Sequence, residues 1–446
     1  MTTKLNADTP LSQWLTFLEH GHGKAIDLGL DRVASVVEKL DLLHPAPFVI
    51  TVGGTNGKGT TCHLLELILL NAGLRVGVYS SPHLLRYNER VRIQNKTLPD
   101  SEHSRSFDYI EKHKDKSLSY FEFSTLSALH IFKRAQLDVV ILEVGLGGRL
   151  DATNAIDSNL AVITSIDIDH TEYLGNTRED IAYEKAGIFR NNEPVIIGEP
   201  DIPQSMLNEA EKHHCQLACR DKNWQFSVNQ EAQTWSWRNN EISYTDLPLP
   251  NIPVANAATA LAAIPYLPFC ITEEGIRQAL QDVELDGRFQ RIKDLDLENL
   301  AEKLTQRPEK LPSIILDVGH NPHAAKYVSE RLKVLKGQRT NKIFAICGVL
   351  KDKDTKGVLA PLMPFIDRWF CISLEGERGQ TGASIAKIIK ALSIEQDRPV
   401  FVDVERDIVT AVKNAVSMLH RNDILLIFGS FLTVGSFLEL LEKHDD

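Results

Sequence analysis

A loop of the type that binds phosphate occupies residues 53–61, Gly-Gly-Thr-Asn-Gly-Lys-Gly-Thr-Thr. It follows a short apolar run and precedes a segment with helical periodicity, which is the context that such a loop needs. Glycines let backbone N–H groups turn toward phosphate oxygens, and the start of a helix adds partial positive charge. Lys58 is placed to reach the β- and γ-phosphates, and the Thr60 hydroxyl to join the shell of Mg²⁺. This order of elements favours an ATP site over a glycine-rich turn with a solvated lysine.

The loop departs from the strict nucleotide-binding pattern at two positions. That pattern has glycine where this chain has Val52, and a hydroxyl residue directly after the lysine, where this chain has Gly59. The order of strand, loop and helix is nevertheless kept, so we expect ATP binding despite these differences.

Other polar residues follow apolar runs and are candidates for a metal site. Glu143 ends such a run, and a carboxylate there must be paired, protonated or bound to a metal because burying it alone is costly. Asp169 and His170 follow the next run, and a carboxylate and an imidazole at adjacent strand ends can share a metal. His170 alone is more often a structural histidine, but its combination with Glu143 and the phosphate loop favours a metal. Ser81 either adds a hydroxyl at the same edge or belongs to a capped turn.

The apolar runs predict an α/β fold with mainly parallel sheets. Runs at residues 48–52, 75–79, 138–144, 160–166 and 195–197 alternate with helical patterns such as residues 60–72. A second series occupies residues 313–316, 343–346, 369–372, 400–402 and 424–428. Residues 216–245 predict a small antiparallel excursion. Ligands of such sheets bind beyond the carboxyl ends of the strands, where the candidate residues lie.

The length of 446 residues predicts two domains, since one hydrophobic core rarely organises so long a chain. The polar segment 291–312 lacks a strong apolar face and separates the two series of strands. We therefore predict one domain over residues 1–295 and a second over residues 296–446.

The composition excludes several classes of protein. Sixty acidic and 49 basic residues give a net charge of −11, which argues against a general binder of nucleic acid or anionic membranes. The six cysteines lack the paired spacing of structural zinc sites. The N-terminus has no signal-peptide core, and no stretch approaches the length of a membrane span. A cytoplasmic protein with reduced thiols is the expectation.

A series of segments in one order resembles a known family. They are GGTNGKGTTC, YSSPHLLRYNERV, SYFEFSTL, LEVGLGGRLDATN, DIDHTEYLG, YEKAGIF, NAATALAA, DGRFQ, LDVGHNPHA and FGSFLTVGSF. Together they resemble the bacterial bifunctional dihydrofolate synthase/folylpolyglutamate synthase branch of the Mur ligase superfamily, over nearly the whole chain. The resemblance implies a phosphate-loop ATPase domain, similar to the central domain of Mur ligases, and a smaller Rossmann-like C-terminal domain, with the active site in a cleft between them.

The resemblance also implies an activity. An ATP- and Mg²⁺-dependent amide ligase would add L-glutamate to dihydropteroate, giving dihydrofolate, and further glutamates to reduced folates. The substrate carboxylate would take the γ-phosphate to form an acyl phosphate, and the glutamate amine would displace phosphate through a tetrahedral intermediate. Two metal sites and a monomer are implied, and a potassium requirement is left open.

Individual residues receive roles by the same resemblance. Those implied for ATP are Thr55, Asn56, Gly57, Lys58, Gly59, Thr60, Asn256, Arg288 and Asp317. Those implied for Mg²⁺ are Thr60, Ser81, Glu143, His170 and Lys185. Those implied for catalysis are Lys58, His170, Lys185 and His320. Those implied for the folate are Ser119, Tyr120, Phe121, Glu122, Leu150, Asp151 and Ala152. His320 and Ser430 are implied for the incoming glutamate.

For two of these roles, the resemblance implies a chemistry that the sequence context of the residues does not indicate. Lys185 matches a lysine that CO₂ carbamylates in this superfamily, which makes a cation into a ligand for Mg²⁺; from its context alone it is a helix-end lysine beside a glutamate. Asp151 would accept paired N–H bonds from the pterin, and Tyr120 or Phe121 would stack on its ring. The alternative for these aromatic residues is core packing.

Three alternative functions remain. A monofunctional folylpolyglutamate synthase is the nearest alternative, although FEFSTL and GRLDATN favour a dihydropteroate site. A cell-wall Mur ligase would carry a further domain before the loop, where only 52 residues precede Gly53. A nucleotide-binding regulator or kinase is the third.

Two segments depart from the usual pattern of the family. They are the segment around Gly21, His22 and Gly23, expected to border the pteroate, and residues 293–312, which form a longer linker than is usual.

Overall fold

The computed structural model describes residues 5–21, 29–337 and 341–442, so His22 and Gly23 lie outside the described residues. The chain divides into two compact units, Met1–Val283 and Glu284–Asp446. The second unit begins before the predicted boundary at residue 296, because Gln290–Arg291 already pairs with a strand of that unit. Among the helices of the described residues, none combines the length and the apolarity that crossing a bilayer requires.

A mainly parallel eight-stranded sheet organises the first unit. Its strands are β1 Phe48–Gly53, β2 Val76–Tyr79, β3 Val91–Ile93, β4 Lys96–Thr97, β5 Val139–Glu143, β6 Leu160–Ile163, β7 Pro194–Ile197 and β8 Gln216–Cys219. They lie in the order β4-β3-β2-β5-β1-β6-β7-β8. Strand β1 pairs in parallel with β5 on one side and with β6 on the other, so the carboxyl ends of these three strands share one edge. The predicted fold class is confirmed.

Ten helices belong to the described part of the first unit. They are α1 Leu11–His20, α2 Leu30–Lys39, α3 Lys58–Asn71, α4 Asp100–His113, α5 Tyr120–Ala135, α6 Thr171–Leu174, α7 Arg178–Lys185, α8 Gln204–Lys212, α9 Val254–Ala263 and α10 Glu273–Asp282. Short 3₁₀ turns occupy Tyr87–Arg90, Ala152–Ala155, Ala186–Ile188 and Ile264–Tyr266.

Alternate side chains of the central strands are buried against different sets of helices. Ile50 and Ile141 pack in one cluster with α3, α9 and α10. Val49 and Val140, the neighbouring residues in the same strands, pack in another cluster with α1, α2, α4 and α5. Successive side chains of a strand point to opposite faces, so a sheet covered on both faces needs apolar residues throughout.

The expected antiparallel excursion is a three-stranded sheet. Its strands are β9 Trp224–Asn229, β10 Thr234–Asn239 and β11 Ser243–Pro248. Trp237 is buried, and its Nε1 donates to the carbonyl of Ala258 on α9 at 3.1 Å. The prediction began at residue 216, but residues 216–219 form β8, which continues the large sheet in parallel with β7.

The second unit has its own six-stranded sheet. Its strands are β12 Gln290–Arg291, β13 Ser313–Asp317, β14 Ile343–Cys347, β15 Arg368–Ile372, β16 Phe401–Glu405 and β17 Ile424–Phe428. Their order is β12-β13-β17-β14-β15-β16, and all of them except β12 run parallel to their neighbours. Its helices in the described residues are α11 Asp294–Leu304, α12 Pro322–Gly337, α13 Thr355–Leu359, α14 Gly382–Glu395, α15 Ile408–Met418 and α16 Phe431–Leu441. A 3₁₀ turn occupies Pro308–Lys310.

Residues 293–312, expected to form a longer linker, contain a helix of the second unit. Helix α11 buries Leu300 and Ala301, and Lys303 donates through Nζ to the carbonyl of Leu440 at 2.8 Å. A helix at the surface of a domain needs only a narrow apolar stripe, and the polar residues around that stripe hid it in the sequence.

We predict that burial of His103 makes the first unit sensitive to acid. The side chain is fully buried beside Tyr87, with ring centroids 5.2 Å apart, and burial lowers the pKa of His103 to about 4. The unfolded chain takes up this proton near pH 6.5, so stability is lost as the pH falls from 6.5 to 4, by up to about 3 kcal/mol. Urea unfolding at pH 7 and pH 5 should show a smaller pH effect in His103→Phe than in the wild type.

The exposed His44 supplies the control for this experiment. His44→Phe should keep the pH effect of the wild type. An equal pH effect in the wild type and His103→Phe would contradict the prediction.

Candidate functional site

The phosphate loop joins the end of β1 to the start of α3. Gly57 caps the helix with φ +86°, and a Cβ added there would lie 2.6 Å from Oδ1 of Asn256. Gly54 has φ +141°, and a Cβ there would lie 1.9 Å from Oγ1 of Thr164. Both positions therefore require glycine, for backbone conformation and for space.

Residues that follow β6 hold this loop in place. The N–H of Thr55 donates to the carbonyl of Ser165 at 2.8 Å, and the N–H of Asn56 donates to Ser165 Oγ at 3.0 Å. Thr164 donates through Oγ1 to the carbonyl of Asn56 at 2.6 Å. We did not predict these roles from the sequence. The available signal was the pair of hydroxyl residues directly after a buried strand.

Lys58 and Thr60 both lie against the phosphate loop, and their roles toward phosphate and Mg²⁺ stay predictions. Nζ of Lys58 donates to the carbonyls of Gly54 and Thr55, at 3.0 and 3.2 Å, so its charge lies across the loop. The Thr60 hydroxyl donates to the Gly57 carbonyl at 3.0 Å and accepts from Nδ2 of Asn256 at 2.9 Å. Helix α9 thus brings Asn256 to the start of α3, although the two residues are far apart in the sequence.

Glu143 and Ser81 meet at the same edge of the sheet. Glu143 is the last residue of β5 and is almost fully buried. Its Oε2 accepts the N–H of Ser81 at 3.3 Å. Carboxylate and hydroxyl oxygens are the ligands that Mg²⁺ prefers, so these residues fit a Mg²⁺ ion. Within the described ranges no three His, Cys, Asp or Glu side chains form a metal site, so further ligands would have to come from other groups.

A pocket beside the phosphate loop brings three of the predicted catalytic residues together. It has an empty volume of about 310 Å³. Its lining is Gly54, Thr55, Lys58, Val144, Gly145, Leu146, Gly147, Asp169, His170, Leu174 and Lys185. The His170 ring is partly exposed, with Nε2 4.0 Å from Oδ2 of Asp169. The pocket thus brings Lys58, His170 and Lys185 together, and their catalytic roles stay predictions.

Lys185 is the most unusual group in this pocket. It ends α7, and only 4% of the residue is exposed. Burial lowers its pKa to about 7, and the charge of Lys58 acts in the same direction, against Asp169 and Asp151. A large fraction of the amine is therefore neutral at physiological pH, and a neutral amine is nucleophilic. The sequence alone gave no indication of this burial.

The residues predicted to bind the folate have structural partners of their own. Ser119 and Glu122 form a capping box at the start of α5, and Glu122 Oε1 also accepts from Arg32 at 2.7 Å. Asp151 is buried, and its carboxylate accepts from the N–H of Leu146 and from Thr153. These contacts explain Glu122 and Asp151 as structural residues, and their role toward a substrate stays a prediction.

One aromatic member of this group, Phe121, lies against the pocket wall. A Cβ added to Gly145, which lines the pocket, would lie 2.6 Å from the ring of Phe121. The ring of Tyr120 lies beneath the guanidinium of Arg90, at 5.4 Å. Leu150 is 40% exposed, whereas Ala152 is buried. Tyr120, Phe121 and Leu150 are therefore the members of this group with accessible surface.

In the second unit, the predicted residues gather at the carboxyl ends of β13 and β17. Asp317 is buried, and its carboxylate accepts the N–H of Phe289 at 2.9 Å and of Gly319 at 2.7 Å. Burial raises the pKa of Asp317, while the charge of Arg288 acts to lower it.

Phe431, which we did not predict, connects the other residues of this group. The Arg288 guanidinium lies 5.2 Å from its ring centroid, and the His320 ring lies 6.2 Å from it. Ser430 is buried as the N-cap of α16 and accepts the N–H of Thr433 at 3.0 Å. Capping accounts for Ser430 structurally, so its predicted contact with glutamate is still untested.

Two family models match this chain, one within the first unit and the other within the second. The Mur ligase middle domain matches residues 52–264, and the Mur ligase, glutamate ligase domain matches residues 302–431. With the phosphate loop and the two mainly parallel sheets, these matches define the class of protein. It is an ATP-dependent ligase of the Mur type.

More similar proteins narrow this class to one family. A dihydrofolate synthase/folylpolyglutamate synthase from Haemophilus influenzae is 60% identical over 98% of this chain and 99% of its own length. Escherichia coli FolC in complex with DHPP and ADP has a TM-score of 0.89 and 45% identity, over 98% of this chain and 99% of that chain. A bifunctional folylpolyglutamate synthase/dihydrofolate synthase with Mn, AMPPNP and L-glutamate bound has a TM-score of 0.87 and 49% identity, over 98% and 99%. This chain belongs to the dihydrofolate synthase/folylpolyglutamate synthase family, as its motifs indicated.

We predict that Gly57→Ala weakens nucleotide binding by about tenfold or more. The new Cβ would collide with Asn256 and would force a left-handed backbone on alanine, which costs about 1–2 kcal/mol. Calorimetric titration with ADP should show the loss.

Gly73→Ala is a matched control, because Gly73 has a similar φ of +79° at the far end of α3 with no atom within 4 Å of an added Cβ. It should lose stability and keep nucleotide affinity. Equal affinities in the two variants would contradict the prediction.

Proposed function

We propose that this protein is a ligase that uses ATP to add L-glutamate to dihydropteroate, giving dihydrofolate, and further glutamates to reduced folates. The observation that carries the proposal is the pocket in which Lys58, His170 and the buried Lys185 meet beside the phosphate loop. The family supports the reaction, since relatives bear both names and one was crystallised with an ATP analogue, Mn and L-glutamate. The protein acts in the cytoplasm as a monomer.

The reaction has two chemical steps. The carboxylate of the folate attacks the γ-phosphorus of ATP, which releases ADP and leaves an acyl phosphate. The amine of glutamate then attacks the acyl carbon, and the tetrahedral intermediate collapses to an amide and inorganic phosphate. Lys58 neutralises charge on the transferring phosphoryl group, and the first-turn N–H groups of α3 face the phosphates. When bound, Mg²⁺ would supply further charge neutralisation. Thr60, Ser81 and Glu143 are the residues that would hold one ion, and His170 would hold a second.

Lys185 contributes as a carbamate. Its neutral amine adds to CO₂ and loses a proton, which makes a carbamate anion with two oxygens at the end of a buried side chain. The lowered pKa supports this step because only the unprotonated amine has the electron pair that forms the new bond. The carbamate would add an oxygen ligand for Mg²⁺. Such a ligand is consistent with the finding that no three His, Cys, Asp or Glu side chains of the described residues gather into a metal site.

The remaining predicted residues bind the substrates. In the first unit, Asn256 contacts the nucleotide, Phe121 stacks on the pterin, and Asp151 accepts its N–H groups. In the second unit, Arg288 and Asp317 contact the nucleotide, and His320 and Ser430 serve the incoming glutamate. The cluster of Arg288 and His320 around Phe431 supports a binding surface in that unit.

The direct test is a product assay with dihydropteroate and with tetrahydrofolate as acceptors. Each acceptor is incubated with ATP, Mg²⁺ and one amino acid at a time, and the product is identified by mass. We expect addition of one glutamate to dihydropteroate and of one or more to tetrahydrofolate. Addition to tetrahydrofolate alone would leave only the folylpolyglutamate synthase activity, and phosphate release without an amino acid would refute the ligase.

We predict that Lys185→Ala lowers turnover by about 100-fold or more, because a ligand of the metal is lost. Formate or acetate should restore part of the activity by placing a carboxylate in the space left by the side chain. With ¹³C-bicarbonate, carbon NMR should show a carbamate signal in the wild type and not in Lys185→Ala.

Lys112→Ala is the control, since Lys112 is exposed and pairs with Asp108. It should keep both the activity and the carbamate signal. Full activity in Lys185→Ala would refute the carbamate.

We predict that Lys58→Ala lowers kcat by about 100-fold or more, because charge directed at the transferring group is removed. Single-turnover formation of ADP separates this step from product release. Unchanged single-turnover rates would exclude the proposed role of Lys58.

A further inference from the structure

A buried carboxylate lies on the inner side of α3, two turns after the phosphate loop. Glu66 has no exposed surface, although glutamate is rarely buried completely unless it is paired. It accepts from Nε and Nη2 of Arg92, at 3.2 and 2.9 Å, and from the N–H of Asn95 at 3.1 Å. Nδ1 of His63 lies 3.2 Å from the same carboxylate. Burial acts to raise the pKa of Glu66, but the bonds from His63 and Arg92 keep it below its usual value, so the group is an anion.

Arg92 connects this carboxylate to the rim of the proposed metal site. Its third nitrogen, Nη1, donates to Oγ of Ser80 at 3.3 Å. Ser80 directly follows β2, and its N–H donates to the carbonyl of Arg90 at 2.9 Å. The next residue, Ser81, donates its N–H to Glu143. A continuous series of bonds therefore runs from α3 through Arg92 to the segment that carries Ser81.

We propose that Arg92, held by Glu66, is a positioning residue that fixes Ser80 and thereby sets the Ser81 hydroxyl and Glu143 for a divalent metal. The inference rests on the proposed function only in assigning Ser81 and Glu143 to that metal. The competing explanation is that Glu66 and Arg92 only fasten the turn between β3 and β4 to α3, through the N–H of Asn95.

The geometry of the guanidinium favours positioning. Its planar fork directs two N–H groups to Glu66 while a third reaches Ser80, so one side chain fixes two partners at a defined distance. A lysine has a single ammonium centre on a flexible stem and cannot reproduce this arrangement. A residue needed only to neutralise Glu66 would tolerate lysine, whereas one that positions Ser80 would not.

Two variants separate these explanations. Ser80→Ala removes the acceptor for Nη1 and leaves the pair of Glu66 and Arg92 intact. Arg92→Lys keeps the charge and loses the fork. We expect each to weaken Mn²⁺ binding in the presence of AMPPNP by about three- to tenfold, the effect of losing one hydrogen bond. Electron paramagnetic resonance of free Mn²⁺ measures this binding without turnover.

Kinetics and exchange give two further readouts. The KM for Mg²⁺ should rise by a larger factor than kcat falls, since a displaced ligand weakens metal binding first. Amide hydrogen exchange of Ser81 and His83 in the metal-free protein should be faster in Ser80→Ala than in the wild type.

Matched controls come from the second unit. Ser329 donates through Oγ to the carbonyl of Lys326 at 2.7 Å, and Nε of Arg368 pairs with Asp403 at 2.6 Å. Ser329→Ala and Arg368→Lys make the same chemical changes within the second unit. Both should bind Mn²⁺ with the affinity of the wild type.

The outcomes are distinct. Wild-type Mn²⁺ affinity in Ser80→Ala would overturn the proposal, and this variant decides alone if Arg92→Lys does not fold. Weaker Mn²⁺ binding in Ser80→Ala, with wild-type binding in both controls, would support it. If the wild type binds Mn²⁺ and AMPPNP but ligates no glutamate, the proposed function fails while the metal-binding comparison still decides this inference.

Discussion

The parallel pairing of β1 with β5 on one side and β6 on the other is the constraint on which the first unit depends. It places the phosphate loop, Glu143 and the hydroxyl residues after β6 at one edge of the sheet. Each of these groups then stabilises another. Thr164 and Ser165 hold the loop, while Glu143 holds the N–H of Ser81. Loss of register at β1 would separate all of them at once.

The charge state of the lysines in this pocket depends more on their burial than on the net charge of the protein. The protein is acidic overall, yet two lysines, Lys58 and Lys185, line a single pocket. Two ammonium groups close together with little water are costly, and the lowered pKa of Lys185 is the result. The lowered pKa leaves a large fraction of Lys185 as a neutral amine. An acidic protein can thus bind a nucleotide through local charges alone.

In the second unit, residues predicted to contact ligands also have structural partners. Asp317 and Ser430 organise the chain at the carboxyl ends of β13 and β17, where ligands of parallel sheets bind. Their bonds leave the surface around Phe431 to Arg288 and His320. The buried acceptors Asp317 and Ser430 and the partly exposed ring of Phe431 thus have different surroundings, although all belong to the same group of motif residues.

The sequence by itself determined the α/β class, the strands and the phosphate loop, because apolar periodicity and glycine spacing are local properties of the chain. Its ordered motifs also determined the family. Only the tertiary structure decided that Lys185 is buried beside Lys58, that residues 293–312 include a helix of the second unit, and that Glu66 binds Arg92. Burial and pairing depend on which distant segments pack together, and no local pattern records that.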